Sequence, residues 1–228
     1  MARVLILFAH PGQRHSRLNV RMAQQAARLD GVTFVDLYAE YPRFNIDIDA
    51  EQARLVAHDV IIFQFPIYWY SVPALLKEWQ DLVLEYGFAY GQSGSKLSGK
   101  LFLPVVTTGG ARDAYREEGS NHFRLRTLLS PLEQTASLCG MRFLPPVALF
   151  SAHDSALDGR ADLHIAAYLR LLSALRDETL DLNAVSRFEL LDDDALSRVD
   201  ILRGVTPNPA DMAPSGLPAG SNSARMSE

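Results

Sequence analysis

Three short stretches carry the residue types that could do chemistry. The first is His10-Pro11-Gly12-Gln13-Arg14-His15-Ser16-Arg17-Leu18-Asn19, which brings a flexible glycine, hydroxyl and amide donors and basic side chains to the start of a helix-period segment. Free backbone amides and the helix dipole at such a start favour a phosphate. The second, Phe65-Pro66-Ile67-Tyr68-Trp69-Tyr70, sets three large aromatics directly after an apolar β-branched run, where they could wall a flat heteroaromatic ring such as isoalloxazine. The third, Thr107-Thr108-Gly109-Gly110, pairs hydroxyls with glycines that let backbone N–H groups approach a ligand closely. Each stretch also suits a plain structural role: a capped helix with solvated side chains, core aromatics, or a tight Gly-Gly turn. None is a GxGxxG or Walker sequence, which argues against a dinucleotide-type Rossmann site and against an NTPase.

Just past the third stretch stand Tyr115 and His122. A reduced flavin gathers negative charge near its pyrimidine edge, and a phenol and an imidazole are suitable donors there, the imidazole also being able to supply a proton near neutral pH.

What must position these stretches is a series of β-branched runs alternating with helix-period segments. Strands are expected at 3–8, 33–37, 60–65, 101–107 and about 142–149, and helices at 16–29, 50–57, 73–84, 123–138 and 158–179. Ser16 is the expected cap of the first helix, and Pro73 suits the first turn of the third. Alternating βαβ units with right-handed crossovers give a three-layer, doubly wound α/β sandwich with a parallel sheet in the order 2-1-3-4-5. In that order the ends of strands one, three and four share the carboxyl rim beside the switch point, where ligands bind. All three stretches would therefore meet there.

The chain has 228 residues, 48% of them hydrophobic and 21% charged, with a net charge of −5. One domain over 1–180 is expected, followed by an extension over 181–228 whose last part, from 204, is rich in Pro, Gly, Ser and Ala. The mildly acidic balance, without a Lys/Arg cluster, argues against nucleic acid as a partner. The single cysteine, Cys139, has no ligand-spaced neighbour, so no metal site and no internal disulfide are expected, and a reducing cytosol suits it. The apolar start is short and lacks a small-residue cleavage site, and the longest apolar stretch, 60–76, is broken by Gln64, Pro66, Ser71 and Pro73.

Taken in order, AHP at 9–11, S-x-x-N at 16–19, LY…YPxFNIDI at 37–48, FPIYWYSVPALLKEW at 65–79, GFAYG at 87–91, TTGG at 107–110 and LPP at 144–146 resemble the flavodoxin-2 group of NAD(P)H:quinone oxidoreductases. Within it the chain looks closest to the ancillary flavoproteins of glutathione-regulated potassium-efflux systems (KefF and KefG). The resemblance runs over roughly 3–178 and implies a flavodoxin-like fold and a flavin: FMN as in the efflux branch, with FAD the alternative. By the same resemblance His10, Ser16, Arg17, Leu18 and Asn19 hold the phosphate end, Pro66, Ile67, Tyr68 and Trp69 the ring, and Thr107, Thr108, Gly109 and Gly110 the pyrimidine edge. Tyr115 and His122 fall near the family's charge-relay Tyr and His. The family spacing is six residues and here it is seven, with Asn121 at the sixth place.

The resemblance further implies a homodimer, NAD(P)H as donor, a quinone as acceptor, and a cytoplasmic protein, peripheral to the membrane where a potassium/proton antiporter is its partner. Three functions are open at this point: a two-electron quinone reductase, a regulatory antiporter subunit signalling through flavin occupancy, and a one-electron flavodoxin carrier. The last needs neither a nicotinamide cleft nor a Tyr/His pair.

Overall fold

A computed structural model describes residues 1–12, 18–155 and 157–198. Strands β1 (Val4–Phe8), β2 (Val32–Asp36), β3 (Val60–Pro66), β4 (Leu101–Thr107), β5 (Arg142–Phe143) and β6 (Val147–Leu149) form one parallel sheet, in the order β2-β1-β3-β4-β5 with β6 also on β4. This is the doubly wound order that the alternation of elements predicts. The helices are α1 (Leu18–Ala26), α2 (Leu37–Glu40), α3 (Ile48–Ala57), α4 (Ala74–Val83), α5 (Leu125–Leu128), α6 (Ser130–Leu138), α7 (Ala152–Ser155), α8 (Arg160–Arg176), α9 (Leu182–Val185) and α10 (Asp193–Leu196).

The period-2 geometry of the central strands divides the core. Leu5, Leu7, Ile61, Phe63 and Phe65 face α3, α4 and α6, while Val4, Ile6, Val60, Ile62, Leu103 and Val105 face α1 and α8. On the first side lies a fully buried carboxylate, Glu51, which accepts from Tyr41 Oη at 2.6 Å and Trp79 Nε1 at 3.0 Å and pairs with Arg54. These partners satisfy a group that would otherwise be costly to bury, and they tie the YPxFNIDI and KEW motifs to the core.

Four of the departures from expectation have a clear local reason. The fifth strand is two: between β5 and β6 run Leu144, Pro145 and Pro146, and prolines donate nothing to a ladder. Opposite that break stands Pro104 of β4. Phe102, two residues earlier, accepts from Leu144 N at 2.8 Å, so the missing Pro104 donor faces the same gap. The helix expected over 123–138 breaks at Leu129 into α5 and α6, because Pro131 cannot continue a helix through its own first turn. The second strand stops at Asp36, whose carboxylate accepts from Tyr38 N and Ala39 N and starts α2. Pro73 sits at the N-cap of α4 rather than inside it.

The expected Ser16 cap lies outside the described residues, as does the extension from 199 onward. Up to Arg198 the extension packs on the domain: Val185, Leu191, Ala195 and Leu196 are buried in the α1/α8 side of the core.

Candidate functional site

The sequence-predicted residues that are described gather at the carboxyl rim. β1 runs out at Phe8 and delivers His10, buried, whose Nδ1 accepts from Gly12 N at 3.1 Å. That bond assigns the ring proton to Nε2, and burial pulls the imidazole below its ordinary range, so His10 is a neutral donor at pH 7. Its ring stands edge-on to Tyr68 with centroids 6.0 Å apart, joining the first loop to the second.

The second loop leaves β3 at Pro66. Ile67 N donates to Thr107 O at 2.9 Å, which fixes its start against the third loop. Tyr68 and Ser71 then bond each other reciprocally, N to O, at 3.2 and 3.1 Å, around Trp69 (φ 48°) and Tyr70 (φ 64°). Two positive φ values make a type I′ turn, which favours Asn-Gly and is strained by aromatics. Trp69 is 92% exposed at its tip. This backbone strain holds large apolar surface out into solvent at the rim.

The third loop follows β4. Thr107 and Thr108 are buried; Thr108 Oγ1 donates to Gly110 O at 2.8 Å, and Thr108 N bonds Leu149 O at 2.9 Å. Gly109 is exposed with open space where a Cβ would stand, leaving its backbone approachable. Tyr115 packs its ring at 5.7 Å from Phe150 and lies against Gly110, and burial raises its pKa above the ordinary phenol range, so the hydroxyl keeps its proton. His122 is exposed with φ 57°. It is Asn121 that reaches the aromatic turn, its Oδ1 accepting from Tyr70 Oη at 3.3 Å.

Ser16 and Arg17, expected at the phosphate end, lie outside the described residues. Leu18 and Asn19 are described and buried. Asn19 Nδ2 donates to Thr107 Oγ1 at 2.5 Å, a direct bond from the first loop's helix to the third loop.

Sequence reasoning missed what holds Asn19 in place. Gln64, fully buried in β3, donates through Nε2 to Asn19 O at 3.2 Å and Oδ1 at 3.4 Å, and its Oε1 accepts from Tyr168 Oη of α8 at 3.1 Å. Tyr168, Gln64, Asn19 and Thr107 thus form a buried polar chain from α8 to the rim. The signal was present in the run VIIFQFP: one amide in an otherwise apolar central strand needs partners.

The chain belongs to the Flavodoxin_2 family, described by its flavodoxin-like fold, which matches residues 2–172. Among its relatives, the glutathione-regulated potassium-efflux system ancillary protein KefG of Cronobacter sakazakii is 48% identical over 172 residues, covering 75% of this chain and 93% of the relative. The crystal structure of general stress protein 14 from Treponema denticola in complex with FMN superposes with a TM-score of 0.72 at 35% identity, covering 76% of this chain and 99% of that one. An NADPH-quinone reductase from P. pentosaceus superposes with a TM-score of 0.66 at 30% identity, covering 74% and 96%. Among the described residues no helix is long and apolar enough to cross a membrane.

Proposed function

We propose that this protein is an FMN-dependent oxidoreductase that takes hydride from NAD(P)H and reduces a quinone. The observation that carries the reading is the convergence of the three loops at the sheet's carboxyl rim, hydrogen-bonded through Asn19 and Thr107 and through Ile67 and Thr107, with the His10 ring edge-on to Tyr68. The donors there fit a phosphorylated, planar ring. His10 offers its Nε2–H as a neutral donor for the phosphate end, with Ser16 and Arg17 of the same loop offering a hydroxyl and a cation. Pro66, Ile67, Tyr68 and Trp69 wall the ring, and Thr107, Thr108, Gly109 and Gly110 offer hydroxyl and backbone donors to its pyrimidine edge. Similarity to an FMN complex and to an NADPH-quinone reductase supports the choice of cofactor and reaction class.

When bound, FMN would supply two-electron carrier chemistry between NAD(P)H and a quinone, the two substrates taking turns. This chain's own contribution is positioning and charge. The Tyr115 phenol, kept protonated by burial, donates a hydrogen bond where negative charge collects. His122 is exposed at the end of the same loop, and Asn121 steadies the aromatic turn. A groove of about 440 Å³ between α4 and α6 is lined by Ser71, Val72, Leu128, Leu132 and Cys139 among others; a second copy of this chain covering it and the exposed Trp69 would complete the site as a homodimer.

The test is direct: heat-release the chromophore and identify it by mass, then mix the holoprotein with NADPH in a stopped-flow instrument and add a quinone. FMN that bleaches and is reoxidised by the quinone is expected, from a species of dimeric mass in light scattering. Colourless protein that binds no added FMN would overturn the reading. The similarity to KefG favours a second one, a cytoplasmic ancillary subunit of a potassium/proton antiporter. It predicts co-purification with the antiporter whether or not a quinone is turned over.

A further inference from the structure

We propose that residues 189–194 are a strap that holds the loop carrying Tyr115 in working geometry, with Arg112 and Asp192 as its positioning residues. The inference rests on the reading above for its catalytic consequence, though not for its structural part. The family match ends at residue 172, so the strap belongs to a part of the chain beyond it.

The strap is anchored in the sheet. Leu191, fully buried, adds one residue beside β6: its N–H donates to Pro146 O at 2.8 Å and its carbonyl accepts from Ala148 N at 3.1 Å. That anchor delivers Asp192 to a buried position, where Oδ1 caps α10 through Ala195 N at 3.1 Å and Oδ2 lies 2.9 Å from Arg112 Nη2. Oδ2 has no aligned hydrogen bond, so the guanidinium charge is what offsets its burial. Arg112 also reaches Asp194 at 3.3 Å, and Arg124 pairs with Glu189 at 3.8 Å. On the strap's inner side Asp193 bonds His164 Nδ1 at 2.6 Å.

The loop it meets behaves as a unit. Residues 111–122 close on themselves through Asn121 N to Ala114 O at 3.0 Å and His122 N to Gly119 O at 3.0 Å. Gly119 packs so tightly that a Cβ would stand 2.3 Å from Asp113 O. Within this unit the Arg112 carbonyl accepts from Tyr115 N at 3.0 Å, so a force on Arg112 is passed directly to Tyr115. Arg112 thereby ties Tyr115's turn to a buried carboxylate rooted in the sheet.

Full-length Asp192→Asn, Arg112→Gln and the double variant test this. Asn keeps the α10 cap and removes the charge; Arg112→Gln leaves the buried Asp192 carboxylate unpaired, and the double variant, with neither charge, separates loss of the tie from that cost. Amide hydrogen exchange over 110–122, measured without FMN, should rise about tenfold in each single variant, with no further rise in the double. With FMN bound, the limiting rate of bleaching by NADPH should fall about tenfold, the half-saturating NADPH concentration and FMN content staying as in the wild type. Unchanged exchange over 110–122 overturns the strap. Raised exchange with an unchanged limiting rate, or a rate lost only in step with FMN, overturns the positioning role. If the wild type binds no FMN, the proposed function fails while the exchange experiment still decides the strap.

Discussion

At the scale of single residues the site is built on donors whose state is fixed by their surroundings. His10 is set as an Nε2–H donor by the Gly12 amide on its other nitrogen, and Tyr115 is kept neutral by burial. Asn19 is the most constrained of these, since its side chain receives from Gln64 and gives to Thr107. Asn19→Ala leaves the Gln64 amide and the Thr107 hydroxyl buried with one partner fewer, at a cost of roughly 1–3 kcal/mol in urea unfolding. The same variant should release FMN more readily in equilibrium dialysis; unchanged retention would sink the placement of Asn19 at the cofactor. Tyr115 is followed by two candidates for the polar group that acts with it, Asn121 and His122, and kinetics separates them. His122→Ala should slow flavin bleaching by NADPH with cofactor content unchanged. If Asn121→Ala slows it and His122→Ala does not, the residue six positions after Tyr115 is the one that acts.

At the scale of elements, the aromatic turn shows how strain and function oppose each other. Trp69 and Tyr70 both occupy left-handed backbone, which disfavours bulky side chains. Trp69→Asn with Tyr70→Gly supplies the residues a type I′ turn prefers, and should raise stability by about 1 kcal/mol in urea melts while weakening FMN binding. A double variant that is no more stable would show that the turn is not strained. The same turn marks the limit of what was legible in the sequence. Its aromatics and its place after β3 could be read from 65–70, because apolar runs and strand-end position are local properties. Its φ values could not, since nothing in Tyr-Trp-Tyr-Ser asks for them. The order of the sheet followed from alternation alone, whereas the split of the fifth strand depended on Pro145 and Pro146 lying opposite Pro104, a tertiary coincidence. Gln64 was visible as an oddity in an apolar strand, but its partners Tyr168 and Asn19 lie 104 and 45 residues away in sequence. Arg112 and Asp192, 80 residues apart by subtraction of their numbers, meet only because Leu191 joins the sheet.

At the scale of the whole molecule, the buried polar chain ties the α8 layer through the sheet to the carboxyl rim, so stability and the candidate site share one set of bonds. Tyr168 begins that chain. It is fully buried, and burial raises its pKa far above the ordinary phenol range; burial also raises the pKa of Tyr38, Tyr41 and Tyr115. The sign of the pH effect follows. The unfolded chain loses phenol protons near pH 10, at about the ordinary value, while the folded protein retains them. The stabilisation is therefore complete below that pH and is lost as pH climbs past it toward the folded value. Tyr168→Phe removes one such group together with its bond to Gln64. It should cost about 1 kcal/mol at pH 7, and the wild type should lose more stability than the variant between pH 9 and about 11. The two curves of unfolding free energy against pH should therefore converge, with Tyr38, Tyr41 and Tyr115 contributing equally to both. Parallel curves, with the pH 7 gap preserved at pH 11, would mean that Tyr168 ionises as readily in the folded protein as in the unfolded chain, which its burial forbids.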